Sequence, residues 1–151
     1  MADLTIQREI LVEAPVDVVW QTITEPAHIT EWFADRVELD VRPGGEGTFV
    51  FDEHARTELT KVAIAVETVD PPRRFAFRWG HPDGVAAVPE NSVLVTFTLT
   101  SEGEARTRLR VVETGLERTG WPEDELARYA DDHREGWAHH LGRLEARFAR
   151  R

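Results

Sequence analysis

The sequence contains no cysteine. Disulfides, thiolate zinc sites and cysteine nucleophiles are therefore excluded together. A chain of 151 residues can do without such staples, because a domain of that length buries roughly 68–70% of its unfolded surface. Basic charge is also scarce. Lysine occurs once, at Lys61, with arginine elsewhere, and the net charge is −10. The near-absence of lysine reads as coding bias, not mechanism. The acidic balance argues against a nucleic-acid groove or a polybasic membrane patch, and its plain consequence is solubility. No run of about 18 apolar residues exists, and the N-terminus lacks the basic and apolar regions of a signal peptide. The expected setting is cytoplasmic, with neither nucleic acid nor membrane as a partner. By length the chain is expected to be one domain, residues 1–151.

Motifs for several chemistries are missing as well. There is no HExxH, Walker-type loop, dinucleotide fingerprint or GxSxG. The stretch Pro43-Gly44-Gly45-Glu46-Gly47 is rich in glycine, but it precedes a strand pattern and not a helix, so it does not read as a phosphate cradle. Ser92 and Ser101 have no evident base partner, which leaves nucleophilic catalysis without support. His133 and His140 are seven residues apart, about 10 Å along a helix axis, too far to share a small ion bound at about 2 Å. His139 and His140 diverge around the helix, and His28, His54 and His81 fall near expected turns. No metal and no cofactor are expected.

What is present is ordered by periodicity. Residues Leu126, Ala130, His133, Trp137, Leu141, Leu144 and Phe148 recur at steps of three and four, the period of one helical face. The spacing predicts one long amphipathic helix over Glu123–Arg150, with acidic residues at its start and arginines at its end, as the helix dipole favours. Its opposite face carries Asp132, Glu135, His139, Arg143 and Arg147. Gly136 interrupts it, at a cost of about 1 kcal/mol against alanine. A glycine beside Trp137 implies either close approach of another backbone or room left for something else.

Upstream, Leu4, Ile6, Ile10 and Val12 alternate with polar residues and predict a strand over Leu4–Glu13. Arg8 falls on the apolar side of that strand. Val16–Thr24 and Ala27–Phe33 predict two short helices, separated by a break at Glu25-Pro26. Strand patterns follow with no long helix between them: Val37 to Val41, Phe49 and Phe51, Glu58–Asp70, Phe75 to Trp79, Val93 to Leu99, and Arg106 to Val111. Short connections favour antiparallel pairing. One apolar and one polar face per strand leave one side of the sheet to water. Only the last helix, about 40 Å long at about 1.5 Å per residue, can cover the other side. The expected fold is α+β: a curved antiparallel sheet gripping a long C-terminal helix, with two short helices after the first strand.

The ordered set Ala14-Pro15-Val16-Asp17-Val18-Val19-Trp20, Thr24-Glu25-Pro26, Glu31-Trp32-Phe33, Arg42-Pro43-Gly44-Gly45, Val69-Asp70-Pro71-Pro72-Arg73-Arg74, Glu113-Thr114-Gly115 and Gly136-Trp137 with Leu141 and Leu144 resembles the START-like, or SRPBCC, superfamily. The resembled branch is the one named for activators of the heat-shock-chaperone ATPase. The resemblance covers nearly the whole chain. It implies a helix-grip fold, like that of the birch-pollen allergens, with an internal cavity for an apolar small molecule. It implies little about activity, since the superfamily contains lipid carriers, hormone receptors, polyketide cyclases and co-chaperone domains. The chaperone activator is matched in only one of its domains, so its activity is not carried over.

The residues expected to contact a ligand are Trp32, Phe33, Phe49, Phe51, Phe77, Trp79, Phe97, Glu113, His133, Trp137, His140 and Leu141. The aromatic members could equally form a packed core; together they fit an apolar pocket with a few polar groups. Glu113 shares parity with Leu109 and Val111 and should face the helix. His133 and His140 flank Trp137 at steps of four and three. Glu113 with one histidine could orient a polar group on a ligand or act as acid and base; the alternative is a structural ion pair. Three functions stay open: a carrier of an apolar, lipid-like or aromatic small molecule, a cyclase- or hydrolase-type enzyme using Glu113 and His133 or His140, and a chaperone-related protein-interaction domain.

Overall fold

The computed structural model describes residues 5–51, 60–79 and 85–148; the expectations for Leu4, His54, Glu58, His81 and Arg150 concern residues outside these. Seven strands are present among the described residues: β1 (Ile6–Val12), β2 (Arg36–Leu39), β3 (Glu46–Phe51), β4 (Thr60–Asp70), β5 (Arg74–Trp79), β6 (Val93–Ser101) and β7 (Thr107–Thr114). They form one antiparallel sheet in the order β1-β7-β6-β5-β4-β3-β2. From β2 to β7 each strand therefore pairs with its neighbour in sequence, and β1 closes against the last strand. Two short helices, α1 (Val16–Thr24) and α2 (Pro26–Ile29), separate β1 from β2, and α3 (Glu123–Phe148) is the last described element. Among the described residues no helix is long and apolar enough to cross a membrane.

The period-two patterning sets the faces. On β6, Val93, Val95, Phe97 and Leu99 are buried, and on β7, Thr107, Leu109, Val111 and Glu113. The register places Val95 opposite Glu113 and Phe97 opposite Val111, so the two strands present one continuous face to the helix. Thr107 is polar on that face, and its hydroxyl donates to the Ala14 carbonyl at 2.8 Å, which satisfies it. The helix answers with Ala130, Trp137, His140, Leu141 and Leu144, all buried. Glu123, Asp124 and Glu125 sit in its first turn and Arg147 in its last, each stabilising its own end of the dipole. Arg147 also reaches Glu31 at 2.9 Å, tying the far end of α3 to the turn after α2.

Three local expectations are corrected. The second short helix ends at Ile29 and not at Phe33. The amides of Trp32, Phe33 and Ala34 all return to the Ile29 carbonyl, which closes the helix into a turn. Trp32 is pinned there, its indole nitrogen donating to the Thr22 carbonyl at 2.9 Å. The strand expected to reach Val41 stops at Leu39, because the Arg42 amide folds back to the Asp40 carbonyl. Arg8 shares the apolar parity of β1 yet is exposed. Its partner Val111 is buried, and a long arginine on an edge strand reaches water past such a neighbour.

The last helix does not cover the sheet alone: Val19, Ile23, Ile29, Trp32 and Phe33, from α1, α2 and the turn after them, are buried in the same core. A chain ended after Pro122 would still lose Ala130, Trp137, Leu141 and Leu144 from that core and should lose cooperative folding. Circular dichroism during heating checks this. A sharp transition with native sheet signal in the truncated chain would contradict the architecture.

Candidate functional site

The site is built around one carboxylate. Glu113 lies on the inward face of β7 with a fully buried side chain. Three residues of α3 at steps of four, one helical turn apart, reach down to it. The Tyr129 hydroxyl donates to Oε2 at 2.8 Å, His133 Nδ1 lies 2.8 Å from Oε1, and the Trp137 indole nitrogen donates to Oε1 at 2.7 Å. The fourth partner comes from the sheet, where the Trp79 indole nitrogen at the end of β5 donates to Oε2 at 3.0 Å. Each oxygen thus has two partners, which matches the acceptor capacity of an ionised carboxylate. An ionised carboxylate only accepts, so Nδ1 of His133 carries the hydrogen.

The electrostatics follow from this arrangement. Burial is the largest single influence on Glu113 and favours its neutral form. The hydrogen bond and attraction of His133, with the Trp137 and Trp79 donors, outweigh burial and hold the carboxyl below its ordinary range. Tyr129 moves the opposite way. Burial first, then the Glu113 charge and the bond donated to it, push the phenol well above its ordinary value, against a smaller influence of Trp79. The imidazole of His133 stacks on the Tyr129 ring, centroids 3.7 Å apart and planes at 19°, and meets Trp79 edge-on at 5.6 Å. Its side chain is 28% exposed while that of Glu113 is 0% exposed.

Directly beside this cluster is a cleft of about 370 Å³ between α3 and the sheet, lined by Phe33, Phe51, Val62, Trp79, Tyr129, Asp132, His133, Gly136, Trp137 and His140. Phe33 is one of the wall residues. Its ring stacks on Trp137 at 5.3 Å and 8°, and it meets His140 at 4.9 Å and Phe51 at 5.2 Å edge-on. Gly136 decides between the two readings of its presence, because an added Cβ there would meet nothing within 4 Å. No backbone approaches it, and the missing side chain leaves space in the cleft.

Of the residues expected at a ligand site, the structure brings Phe33, Phe51, Trp79, His133, Trp137 and His140 to the cleft wall. Trp32, Phe49, Phe77, Phe97 and Leu141 instead belong to the buried core, away from the lining. Phe97, for example, packs edge-on against both Trp32 and Trp137. Glu113 sits behind the wall, its oxygens fully engaged. Sequence reasoning missed Tyr129, Val62 and Asp132 as lining residues. Tyr129 had a usable signal, the step of four to His133 and of eight to Trp137. Asp132 reads as solvent-facing and is exposed, but it stands at the cleft's edge. Among the described residues no group of three or more acidic or histidine side chains is placed to hold a metal ion.

Fold and site together define a helix-grip α+β protein with an aromatic cleft under its long helix. The family model described as "Activator of Hsp90 ATPase homolog 1-like protein" matches residues 13–149, and the chain belongs to that family, within the START-like superfamily. Among solved structures, DynU16, a protein in the dynemicin biosynthetic locus, is 29% identical with a TM-score of 0.72; the match covers 96% of this chain and 47% of that one. The chain thus spans about half the length of DynU16. CalU16 from Micromonospora echinospora is 24% identical with a TM-score of 0.64, covering 93% of this chain and 73% of its own. MLL2253 from Mesorhizobium loti is 22% identical with a TM-score of 0.72, covering 94% of both chains. The last two likenesses show the fold alone. A search of curated proteins gives no match.

Two outcomes are expected from the carboxylate cluster. Glu113→Gln puts an amide N–H₂ against two donors, and removing one member of a buried charged network costs about 3–5 kcal/mol, read from urea unfolding. The folded-state pKa of Glu113 lies below its unfolded value. Its contribution is therefore present above the ordinary carboxyl value of about 4.3 and is lost as pH falls through that value towards the lower folded one. The unfolding free energy should drop over that acid limb, and less steeply in Glu113→Gln.

The single tyrosine of the sequence makes the second test clean. Absorbance titration of phenolate should place Tyr129 well above pH 10 in the folded protein and at about 10 in denaturant. Because its folded pKa is raised, its contribution to stability is full below about 10 and is lost as pH rises towards the folded value. A native titration at the ordinary position would contradict the buried bond to Glu113.

Proposed function

We propose that the chain binds an apolar small molecule, lipid-like or aromatic, in the cleft between the sheet and α3. The observation that carries this is the cleft itself: about 370 Å³ of space with aromatic walls in a position where a packed core could have stood. That volume falls within the range of about 300–1,000 Å³ typical of small-molecule sites. The apolar walls with convergent polar atoms match how such sites hold ligands. Gly136 supports the reading, since an ordinary helix former there would narrow the cleft and favour the helix by about 1 kcal/mol. The chaperone-related interaction domain has less support. Among the described residues the large exposed hydrophobics are Val18, Val85 and Val88, a modest apolar surface for a partner. The enzyme reading rests on the Glu113–His133 pair.

A ligand that binds only the folded state stabilises it by about 2.7 kcal/mol at a hundredfold excess over Kd, which raises the melting temperature of a domain this size by several degrees. Apolar compounds bearing one polar group should shift the melt and quench or enhance Trp137 fluorescence; nucleotides and sugars should do neither. Gly136→Leu should abolish the shift while the protein itself melts no lower than the parent. A broad apolar library without any shift would sink the proposal.

A further inference from the structure

His133 is fixed on three sides. Glu113 takes Nδ1, Tyr129 lies flat against one face of the ring, and Trp79 abuts it edge-on. When the ring is neutral, Nδ1 keeps the hydrogen and the other nitrogen, Nε2, is an acceptor. It lies across the ring from Glu113, on a residue that lines the cleft, and no described residue bonds it. The hydrogens of Trp79, Trp137 and Tyr129 are all engaged by Glu113. Among the described residues no lysine or arginine lines the cleft, while Asp132 does. An anionic ligand would face Asp132 in addition to the buried Glu113 charge, with the imidazoles of His133 and His140 as the described groups able to offset them.

We propose that Glu113 and His133 form a proton-accepting dyad with His133 Nε2 as its working atom, and that its ligand is an aromatic molecule presenting an uncharged hydroxyl, not a carboxylate. This rests on the reading of the cleft as a ligand site. The hydroxyl donates to Nε2. With a sufficiently acidic hydroxyl the O–H bond breaks, an Nε2–H bond forms, and the ligand becomes an aryloxide. The positive charge then resides on an imidazolium already paired with Glu113, and the same proton returns to the oxygen on reversal. Glu113 stays ionised throughout and touches no ligand, so it is a positioning residue: it sets the tautomer and stabilises the imidazolium. Tyr129 and Trp79 hold the ring plane.

The test compares 2-naphthol, 2-methoxynaphthalene and 2-naphthoate by titration calorimetry on the full chain, in the parent and in His133→Asn. Asparagine keeps an amide hydrogen for Glu113 and has no atom where Nε2 stood. In the parent, 2-naphthol should bind about tenfold or more tighter than its methyl ether, with 2-naphthoate weakest. In His133→Asn, 2-naphthol should fall to the level of the ether, whose own affinity should not change. A merely structural histidine would lower stability and leave the ratio intact. Equal binding of naphthol and ether by the parent would overturn the proposal without any variant. So would a ratio that survives His133→Asn, or tightest binding of 2-naphthoate. If none of the three binds while other apolar compounds shift the melt, the dyad is overturned and the cleft reading stands. If no apolar compound of any kind binds, both fall.

Discussion

The buried carboxylate of Glu113 is the constraint on which the rest depends. An ionised carboxylate away from water costs several kcal/mol unless its lone pairs are filled. Here they are filled from two directions, by Trp79 on the sheet and by Tyr129, His133 and Trp137 on the helix. Hydrophobic burial is non-directional and would let α3 slide or rotate over the apolar face of the sheet. Bonds from three successive turns to one atom group do not. The cluster therefore fixes the register of helix on sheet, and hence which side chains of α3 stand over which strands.

That register explains why a cleft exists beside a packed core. The same turns of α3 that carry Tyr129, His133 and Trp137 carry Gly136, where no side chain fills the gap. Towards the other end of the sheet, Phe75, Phe77 and Phe97 close up with ring contacts at about 6 Å, and α1 adds Trp20 against Phe75. The end framed by Phe33, Phe51 and Trp79 stays open. The buried charge and the vacant space are thus two results of one docking geometry, with His133 at their boundary, held by the first and facing the second.

Much of this was legible in the residues. Period-two alternation gave the strands, and the three-four step gave α3 nearly to its ends. The parity of Glu113 with Leu109 and Val111 placed it inward, where it is. The pairing of Trp79 with Glu113 was not legible. It spans from β5 across β6 to β7, and only the ladder registers bring those positions together. Parity also assigns a face without saying where along the strand a residue falls. Phe77 and Trp79 share a face of β5, yet the first is core and the second is cleft wall. Trp32 looked like a ligand contact because it is aromatic and sits beside Phe33. Its indole is instead engaged by a backbone carbonyl ten residues upstream, a bond that the turn after Ile29 creates and that side-chain patterning does not encode.

Glu113 holds the helix to the sheet through its donors, and hydrogen exchange of the five indole N–H groups reads this most directly. The sequence has five tryptophans. Trp79 and Trp137 donate to Glu113 and Trp32 to a buried carbonyl. Trp20 and Trp121 are only partly buried and make no indole hydrogen bond among the described residues. The indole protons of Trp79 and Trp137 should exchange only with opening of the whole fold, as slowly as that of Trp32, while those of Trp20 and Trp121 should exchange orders of magnitude faster. Indole protons of Trp79 and Trp137 that exchanged as fast as those of Trp20 and Trp121 would contradict it.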